Sequence, residues 1–202
     1  MRRVFLALNA VFGLMILASQ PVVAQRSATL NGIIKFDSTL PQGTRVAVHV
    51  IDSDGVWGLE VSSVVPVAGT FSITASPVPE DELKPFRSGA VLLPGLQNEY
   101  RVTPDDVHYA QGRVNMYVDN NHNGIFDRII DNFFVGVPSL EEPVGFFSLL
   151  YVDKDATMIS SEVELQLQAG WNIFSVRFPQ GEDPVYTIRP LVEDAILDVF
   201  LP

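Results

Sequence analysis

Apolar residues recur at every second position through much of this chain. In residues 45–51, Val46, Val48 and Val50 share one face, and Arg45, Ala47 and His49 share the other. Successive side chains of a β-strand point to opposite faces, so this period predicts strands that are buried on one face only. The same pattern marks residues 71–75, 114–118 and 163–168. A chain patterned in this way is constrained to a fold of short, half-buried strands.

Turn signals separate these segments and set the fold class. Pro41-Gln42-Gly43, Ala68-Gly69 and Ala169-Gly170 are typical of tight turns between strands. The best helical candidate is residues 79–83 (PEDEL), which have acidic residues in their first turn and allow one or two turns at most. Short strands with frequent turns predict an all-β antiparallel sandwich or barrel, and we favour an antiparallel β-sandwich with a minor short helix.

The N-terminal segment has the pattern of a secretory signal peptide. Arg2 and Arg3 precede an apolar run over residues 4–18, and Val22 and Ala24 occupy the small-residue positions of a cleavage site. We expect residues 1–24 to be removed, which places the protein outside the cell, in the periplasm or in the cell envelope. An uncleaved anchor is the alternative, although a membrane span needs about 20 apolar residues. We expect no membrane span in the mature chain.

The remaining residues 25–202 are predicted to form the sandwich domain. An internal boundary near residues 103–112 is the alternative, because Thr103-Pro104-Asp105-Asp106 has the character of a loop. The chain contains no cysteine, which excludes disulfides and a lipid-anchored lipoprotein. The fold must therefore be held by its apolar core, with metal as the remaining source of cross-linking.

The charge of the chain narrows the class of partner. Loss of Arg2 and Arg3 from 13 basic residues leaves 11 against 24 acidic ones, a net charge of −13. Such a charge argues against nucleic acid and against anionic membrane surfaces. It suits a solvated extracellular surface and cation binding, although simple solubility is the more common cause of an acidic surface.

The segment with the most chemical content is residues 117–131, which read YVDNNHNGIFDRIID. Its spacing follows D-x-[DN]-x-[DN]-G-x-x-D, the pattern of a calcium loop, and Gly124 allows the sharp turn. Ca²⁺ takes six to eight oxygen ligands, and one loop with this spacing supplies most of them. The predicted ligands are the side chains of Asp119, Asn121, Asn123 and Asp127, the carbonyl of Ile125, and Asp131 as the closing residue.

Strands are expected on both sides of this loop, so it is mounted on a β-hairpin, with the ring of Phe126 packed beneath it. Two of the five side-chain ligands are amides, and we therefore expect weak binding, with a Kd of roughly 10⁻⁴ to 10⁻³ M. The alternative is an Asn-rich hairpin turn whose side chains cap their own backbone.

The sequence shows two resemblances to known families. Residues 28–36 (ATLNGIIKF), the strand at residues 46–50 and the GTFSI segment at residues 69–73 resemble carboxypeptidase-regulatory-like or transthyretin-like domains. That resemblance implies a small Ig-like β-sandwich used outside the cell as a structural or binding module, without catalysis. The loop resembles dockerin-type and thrombospondin-type-3 calcium loops. It departs from them at Ile130, where they carry an acid, and Asp131 follows one place later.

Other chemistry-bearing residues have simpler explanations. His49, His108 and His122 lack metal-ligand spacing and are predicted to be scattered surface residues. The acidic run Glu80-Asp81-Glu82 is expected to be solvated, and no nucleophile or nucleotide motif is present in the sequence. Core packing is predicted for Trp57 and Trp171, and an exposed Trp57 is the alternative.

These observations predict an exported, non-catalytic β-sandwich protein with one calcium loop. Its role would be that of a structural or binding component of the cell envelope or of an extracellular assembly, and its partner an envelope protein or a polysaccharide. One alternative is a carbohydrate-binding module that uses Trp57 or another exposed aromatic side chain. The other is a hydrolase with an unrecognised acidic site.

Overall fold

The computed structural model describes residues 28–35, 39–51, 57–87, 99–134, 137–140, 145–190 and 197–200. The predicted signal peptide, residues 1–24, lies outside this set. Within it the chain is almost entirely β, as the alternating pattern predicts. Its fifteen strands are β1 (Ala28–Lys35), β2 (Thr44–Ile51), β3 (Trp57–Val64), β4 (Thr70–Ala75), β5 (Lys84–Pro85), β6 (Tyr100–Thr103), β7 (His108–Val118), β8 (Asn132–Phe134), β9 (Val137–Leu140), β10 (Gly145–Val152), β11 (Ala156–Ser160), β12 (Glu164–Leu167), β13 (Gly170–Arg177), β14 (Val185–Pro190) and β15 (Leu197–Phe200).

Helix is limited to one short element in the described residues. A single 3₁₀ turn spans Glu80–Glu82, directly after Pro79. This is the place where a minor helix is predicted, and Leu83 is already in extended conformation. No helix within the described ranges is long and apolar enough to span a membrane.

The strands form a large sheet and a small one, which pack as an antiparallel sandwich. The large sheet has the order β3-β2-β7-β10-β9-β15-β1-β4, with β13 and β14 added beside β10, and β5 and β8 beside β7. The small sheet has the order β12-β11-β6. Every described pairing is antiparallel except that of β1 with β15. The end strands β3 and β4 meet through Ser62, whose Oγ donates to the Thr74 carbonyl at 2.7 Å.

Two apolar cores lie on opposite faces of the central strands. Leu149 and Tyr151 of β10 belong to the core shared with β1, β2 and β4. The intervening Leu150 and Val152 belong to the core shared with the small sheet. Because alternate residues of a strand face opposite sides, β10 is buried on both faces. Phe86 adds to the second core, where it contacts the rings of both Tyr100 in β6 and Tyr109 in β7.

The prediction of half-buried strands holds for β4 and β12 and is wrong for β2 and β7. In β4 and β12 exposed and buried residues alternate strictly. In β2 the second face, with Ala47 and His49, is also buried, and in β7 so are Asn115 and Tyr117. The reason is that residues after β7 fold back over this face, as the candidate site shows.

Gly112 of β7 marks a close approach between the central strands. A Cβ placed on it would lie 2.7 Å from Cζ3 and 2.9 Å from Cη2 of Trp171, and 3.2 Å from the Cβ of Leu149. The Trp171 ring is fixed in place, because its Nε1 donates to the Ser76 carbonyl at 2.8 Å. Trp171 is therefore a core residue, as predicted, and its position requires a glycine opposite.

We predict that Gly112→Ala lowers the free energy of unfolding by about 1–3 kcal/mol, the usual effect of overpacking a core. Denaturant titration measures the change. An unchanged midpoint for Gly112→Ala would contradict the packing of Trp171 against β7.

Candidate metal centre

The predicted calcium loop connects two paired strands. β7 ends at Val118 and β8 begins at Asn132, and the two strands pair in antiparallel register from Val118↔Asn132 to Met116↔Phe134. Residues 119–131, hereafter the 119–131 loop, therefore form the connection of a β-hairpin, as predicted. The loop is anchored where it begins, since the Asp119 amide donates to the Gly43 carbonyl at 3.0 Å.

The first half of the loop is organised around the Asp119 carboxylate, which is 4% exposed. Its Oδ1 accepts from the Asn123 amide at 3.1 Å and its Oδ2 accepts from the Gly124 amide at 2.8 Å. Gly124 has φ +80°, the left-handed conformation predicted for it. The side-chain Oδ1 of Asn121 accepts from the backbone N–H of Asn123, and the side-chain Oδ1 of Asn123 accepts from the backbone N–H of Ile125. The alternating oxygens are thus turned towards the loop backbone.

The second half is organised around Asp131, which is 7% exposed. Its Oδ1 accepts from the backbone N–H of Asn120 at 2.9 Å, and its Oδ2 accepts from the backbone N–H of Asp127 at 2.7 Å. Asp127 in turn accepts from the Ile129 amide at 2.9 Å. Asp131 therefore ties the beginning of the loop to its end. The sequence indicates Asp131 only as a closing ligand and gives no sign of this bracing role.

The predicted ligands fall into two groups by position. Asp119 and Asp131 are buried at the ends of the loop and Asp127 is half-buried, whereas Asn121, Asn123 and Ile125 are exposed. Within the described residues no three acidic or histidine side chains lie close enough together to hold a metal ion. A cation at this loop would therefore need amide and carbonyl oxygens beside the carboxylates. Each carboxylate or amide oxygen has two lone pairs, so one hydrogen bond leaves capacity for a cation.

The two buried carboxylates have backbone amides as partners and no cationic side chain within 4 Å in the described part of the chain. The ion pairs found there involve other acids, namely Glu60, Asp106 and Asp153. Arg45 is the nearest described arginine to Gly124. Its guanidinium donates to Ser63 Oγ at 2.9 and 3.2 Å and passes about 4 Å from where a Gly124 Cβ would lie. Among the described residues these two carboxylates are thus offset by backbone amides and not by an ion pair.

The loop rests on a group of six buried or half-buried side chains, which we name the floor cluster: His49, Trp57, Glu60, Asn115, Tyr117 and Phe126. Phe126 packs beneath the loop as predicted, with its ring centroid 5.1 Å from Tyr117, 5.5 Å from His49 and 5.4 Å from Trp57. These contacts cover the second face of β2 and β7. Trp57 is half-buried, stacked on His49 and in edge contact with Phe133.

Glu60 is the polar centre of the floor cluster. Its side chain is 10% exposed, and Oε2 accepts from Tyr117 Oη and from the Phe126 amide, both at 3.0 Å. The same oxygen lies 3.5 Å from His49 Nε2. Sequence reasoning misses Glu60, and the one available signal is that it is a lone acid within the strand WGLEVSSV.

The histidines are only partly as predicted. His108 and His122 are exposed, as expected of surface residues, and His108 pairs with Asp153. His49 is fully buried, so the prediction of a surface position is wrong for it. Burial lowers the pKa of His49 to about 4, against the opposing effect of Glu60. Burial and the Glu60 carboxylate raise the pKa of Tyr117, which keeps its hydroxyl a donor.

No protein-family model matches the chain, and neither a curated protein nor a solved structure matches it. The resemblances to transthyretin-like domains and to dockerin-type or thrombospondin-type-3 loops therefore stay predictions from the quoted residues. Function has to be inferred from the geometry of the loop and the floor cluster.

We predict that Glu60→Ala lowers the free energy of unfolding by about 2–4 kcal/mol, because it leaves the Tyr117 hydroxyl and the Phe126 amide without an acceptor. Chemical denaturation measures the loss. Glu164→Ala on the exposed face of β12 is the matched control, and we expect it to stay within about 0.5 kcal/mol of wild type. Equal effects of the two substitutions would contradict a structural role for Glu60.

Proposed function

We propose that this is an exported, non-catalytic β-sandwich protein whose 119–131 loop binds Ca²⁺. In this proposal it serves as a structural or binding component of the cell envelope or of an extracellular assembly, with an envelope protein or a polysaccharide as its partner. The side-chain oxygens of Asp119, Asn121, Asn123 and Asp127 and the Ile125 carbonyl act as ligands. Asp131 completes the set.

One observation carries the metal assignment. Asp119 and Asp131 are buried at the two ends of the loop, and backbone amides are their partners among the described residues. Burial of a carboxylate is unfavourable unless its charge is compensated, and amide donors compensate it only in part. A divalent cation between the loop oxygens would supply the missing positive charge.

The loop geometry also bears on the role of the cation. The hydrogen bonds to Asp119, Asp127 and Asp131 already fix the backbone of the loop, so little conformational entropy would be lost on binding. Binding would therefore add stability to a hairpin that is already formed. Amide ligands at Asn121 and Asn123 reduce the charge of the site, which is consistent with a weak site of the extracellular type.

The two alternative functions have less support. Trp57 is surrounded by the rings of His49, Phe126 and Phe133, so it does not stand alone as a sugar-stacking surface. Glu80, Asp81 and Glu82 lie exposed in the 3₁₀ turn. Asp106 is exposed and paired with Lys154 at 2.7 Å. We therefore propose neither a carbohydrate-binding module nor a hydrolase.

We predict that millimolar Ca²⁺ raises the melting temperature of the wild-type protein relative to chelator. A ligand that binds only the folded state stabilises it by RT ln(1 + [L]/Kd), which is about 1.4 kcal/mol at ten times Kd. Asp119→Ala should abolish this calcium-dependent shift. It should also lower stability in chelator by about 1–2 kcal/mol, because the Asn123 and Gly124 amides lose their acceptor.

Asp155→Ala is the matched control for the calcium experiment. Asp155 also caps a turn, accepting from the Ala169 amide at 2.8 Å, but lies outside the loop. It should lose stability in chelator and keep the full calcium shift. Mg²⁺ should substitute poorly, because it demands tighter octahedral geometry and releases water reluctantly. An unchanged wild-type melting temperature across millimolar Ca²⁺ would reduce the loop to a self-capped hairpin turn.

Export has a separate test. We predict that N-terminal sequencing of the protein recovered from its native host begins at Gln25, because the Val22-x-Ala24 site precedes that residue. A mature chain that still begins at Met1 would favour the uncleaved anchor over the signal peptide.

A further inference from the structure

The floor cluster contains a buried, titratable side chain that the calcium proposal does not use. His49 lies on β2 and is fully buried, with Trp57 stacked on one side and Phe126 at its edge. Its Nδ1 lies 3.1 Å from Asn115 Nδ2, and its Nε2 lies 3.5 Å from Glu60 Oε2. Its two ring nitrogens therefore face one neutral side chain and one carboxylate.

The neighbours of the ring decide which nitrogen carries the proton. An amide NH₂ group only donates, so Nδ1 must accept from Asn115 and the proton of the neutral ring sits on Nε2. That proton lies on the side of Glu60, 3.5 Å from Oε2 and without a hydrogen bond to it, whereas the opposite tautomer would place a lone pair against the carboxylate. Turning the Asn115 amide round would require that unfavourable tautomer. With a neutral His49 ring, only this combination of tautomer and Asn115 orientation avoids placing two acceptors or two donors against each other.

Glu60 connects this ring to the 119–131 loop. Its Oε2 accepts from the Phe126 amide, between the predicted ligands Ile125 and Asp127, and from Tyr117 of β7. A single carboxylate oxygen therefore joins β2, β3, β7 and the middle of the loop. Ser63, also on β3, adds a longer contact of 3.3 Å from its Oγ to the Gly124 carbonyl.

We propose that the floor cluster is an acid-sensitive latch, which holds the 119–131 loop against β2 and β7 at neutral pH and releases it when His49 takes up a proton. A second proton must go to Nδ1, and the Asn115 amide must then turn round to present its oxygen instead of its NH₂ group. The charged ring would still be fully buried away from water, with Glu60 Oε2 3.5 Å from Nε2. In the released state water solvates the ring and this conflict disappears.

The charged and titratable groups around His49 do not remove this conflict. Glu60 of β3 attracts the imidazolium, and Arg45 of β2 and Arg113 of β7 repel it, Arg113 being its register partner. Tyr117 stays neutral because its pKa is raised. Asp127 and Arg128 are adjacent in the turn that the Ile130 and Asp131 amides close on the Asp127 carbonyl, and their side chains carry opposite charges. The pKa of His49 in the latched state therefore depends on two opposing effects: burial lowers it and the charge of Glu60 raises it.

The sign of the pH dependence follows from the direction of the shift. Burial brings the pKa of His49 from 6.5 down to about 4, so the latched state binds the proton less well than the released state. The latch is fully favoured above pH 6.5 and loses its advantage as the pH falls towards 4. Over that range the latching equilibrium changes by about 80-fold, and its limit at still lower pH is about 300-fold.

Hydrogen exchange in chelator tests the latch independently of calcium. In wild type we expect protection of the Gly124 and Phe126 amides, corrected for intrinsic exchange, to fall at least about tenfold between pH 6.5 and 4.5. The amides of β10 and β13 should stay protected. His49→Gln keeps an amide donor near Glu60 without a titratable ring, and its loop protection should not change. His108→Gln, an exposed histidine, should behave as wild type.

Two further measurements keep the test decisive if His49→Gln fails to fold. The ring signals of wild-type His49 should titrate well below pH 6.5. Asn115→Asp is isosteric and replaces the donor at Nδ1 by an acceptor, so it should raise the pKa of His49 and reduce the acid-induced loss of protection. Loop protection that does not fall in acid, an equal fall in His49→Gln, or a His49 ring that titrates near pH 6.5 would each overturn the latch.

Discussion

The fold depends on burial of both faces of its central strands. The chain has no cysteine, so cross-links cannot compensate for a weak core. β10 and β13 are covered on one face by the core with β1, β2 and β4 and on the other by the small sheet. β7 extends this arrangement, since it pairs with β2, β5, β8 and β10 along its length. Its position explains why Gly112 must lack a side chain.

The candidate site is a consequence of the same constraint. Where the small sheet does not reach, the second face of β2 and β7 would expose Ala47, His49, Asn115 and Tyr117. The 119–131 loop covers that face through Phe126, and Trp57 of β3 covers it from the side. The loop is therefore a structural cover as well as a candidate metal centre.

Local patterns in the sequence account for much of this structure and fail where distant residues meet. The period of two predicts β4 and β12 correctly, and Asn123-Gly124 marks the hairpin turn with the φ that glycine supplies. Burial of His49 and the partners of Glu60 are not predictable in this way. Tyr117 and Phe126 lie 57 and 66 residues from Glu60 in the chain. These residues come together only through the order of the strands in the sheet. A polar residue at an alternate strand position, such as His49, is therefore predicted to face solvent although a loop covers it.

The two proposals concern different attachment points of one loop, and this has a thermodynamic consequence. Calcium would act at Asp119 and Asp131, where the loop begins and ends, whereas the latch acts at the Phe126 amide in its middle. Calcium and the proton on His49 are then two ligands of the same loop. If their affinities differ between its two states, calcium favours the latched loop and the proton favours the released loop. Linkage is reciprocal, so calcium would lower the apparent pKa of His49 by as much free energy as acid weakens calcium binding. The coupling requires no contact between the metal and the imidazole, because the position of the 119–131 loop is the only quantity that they share.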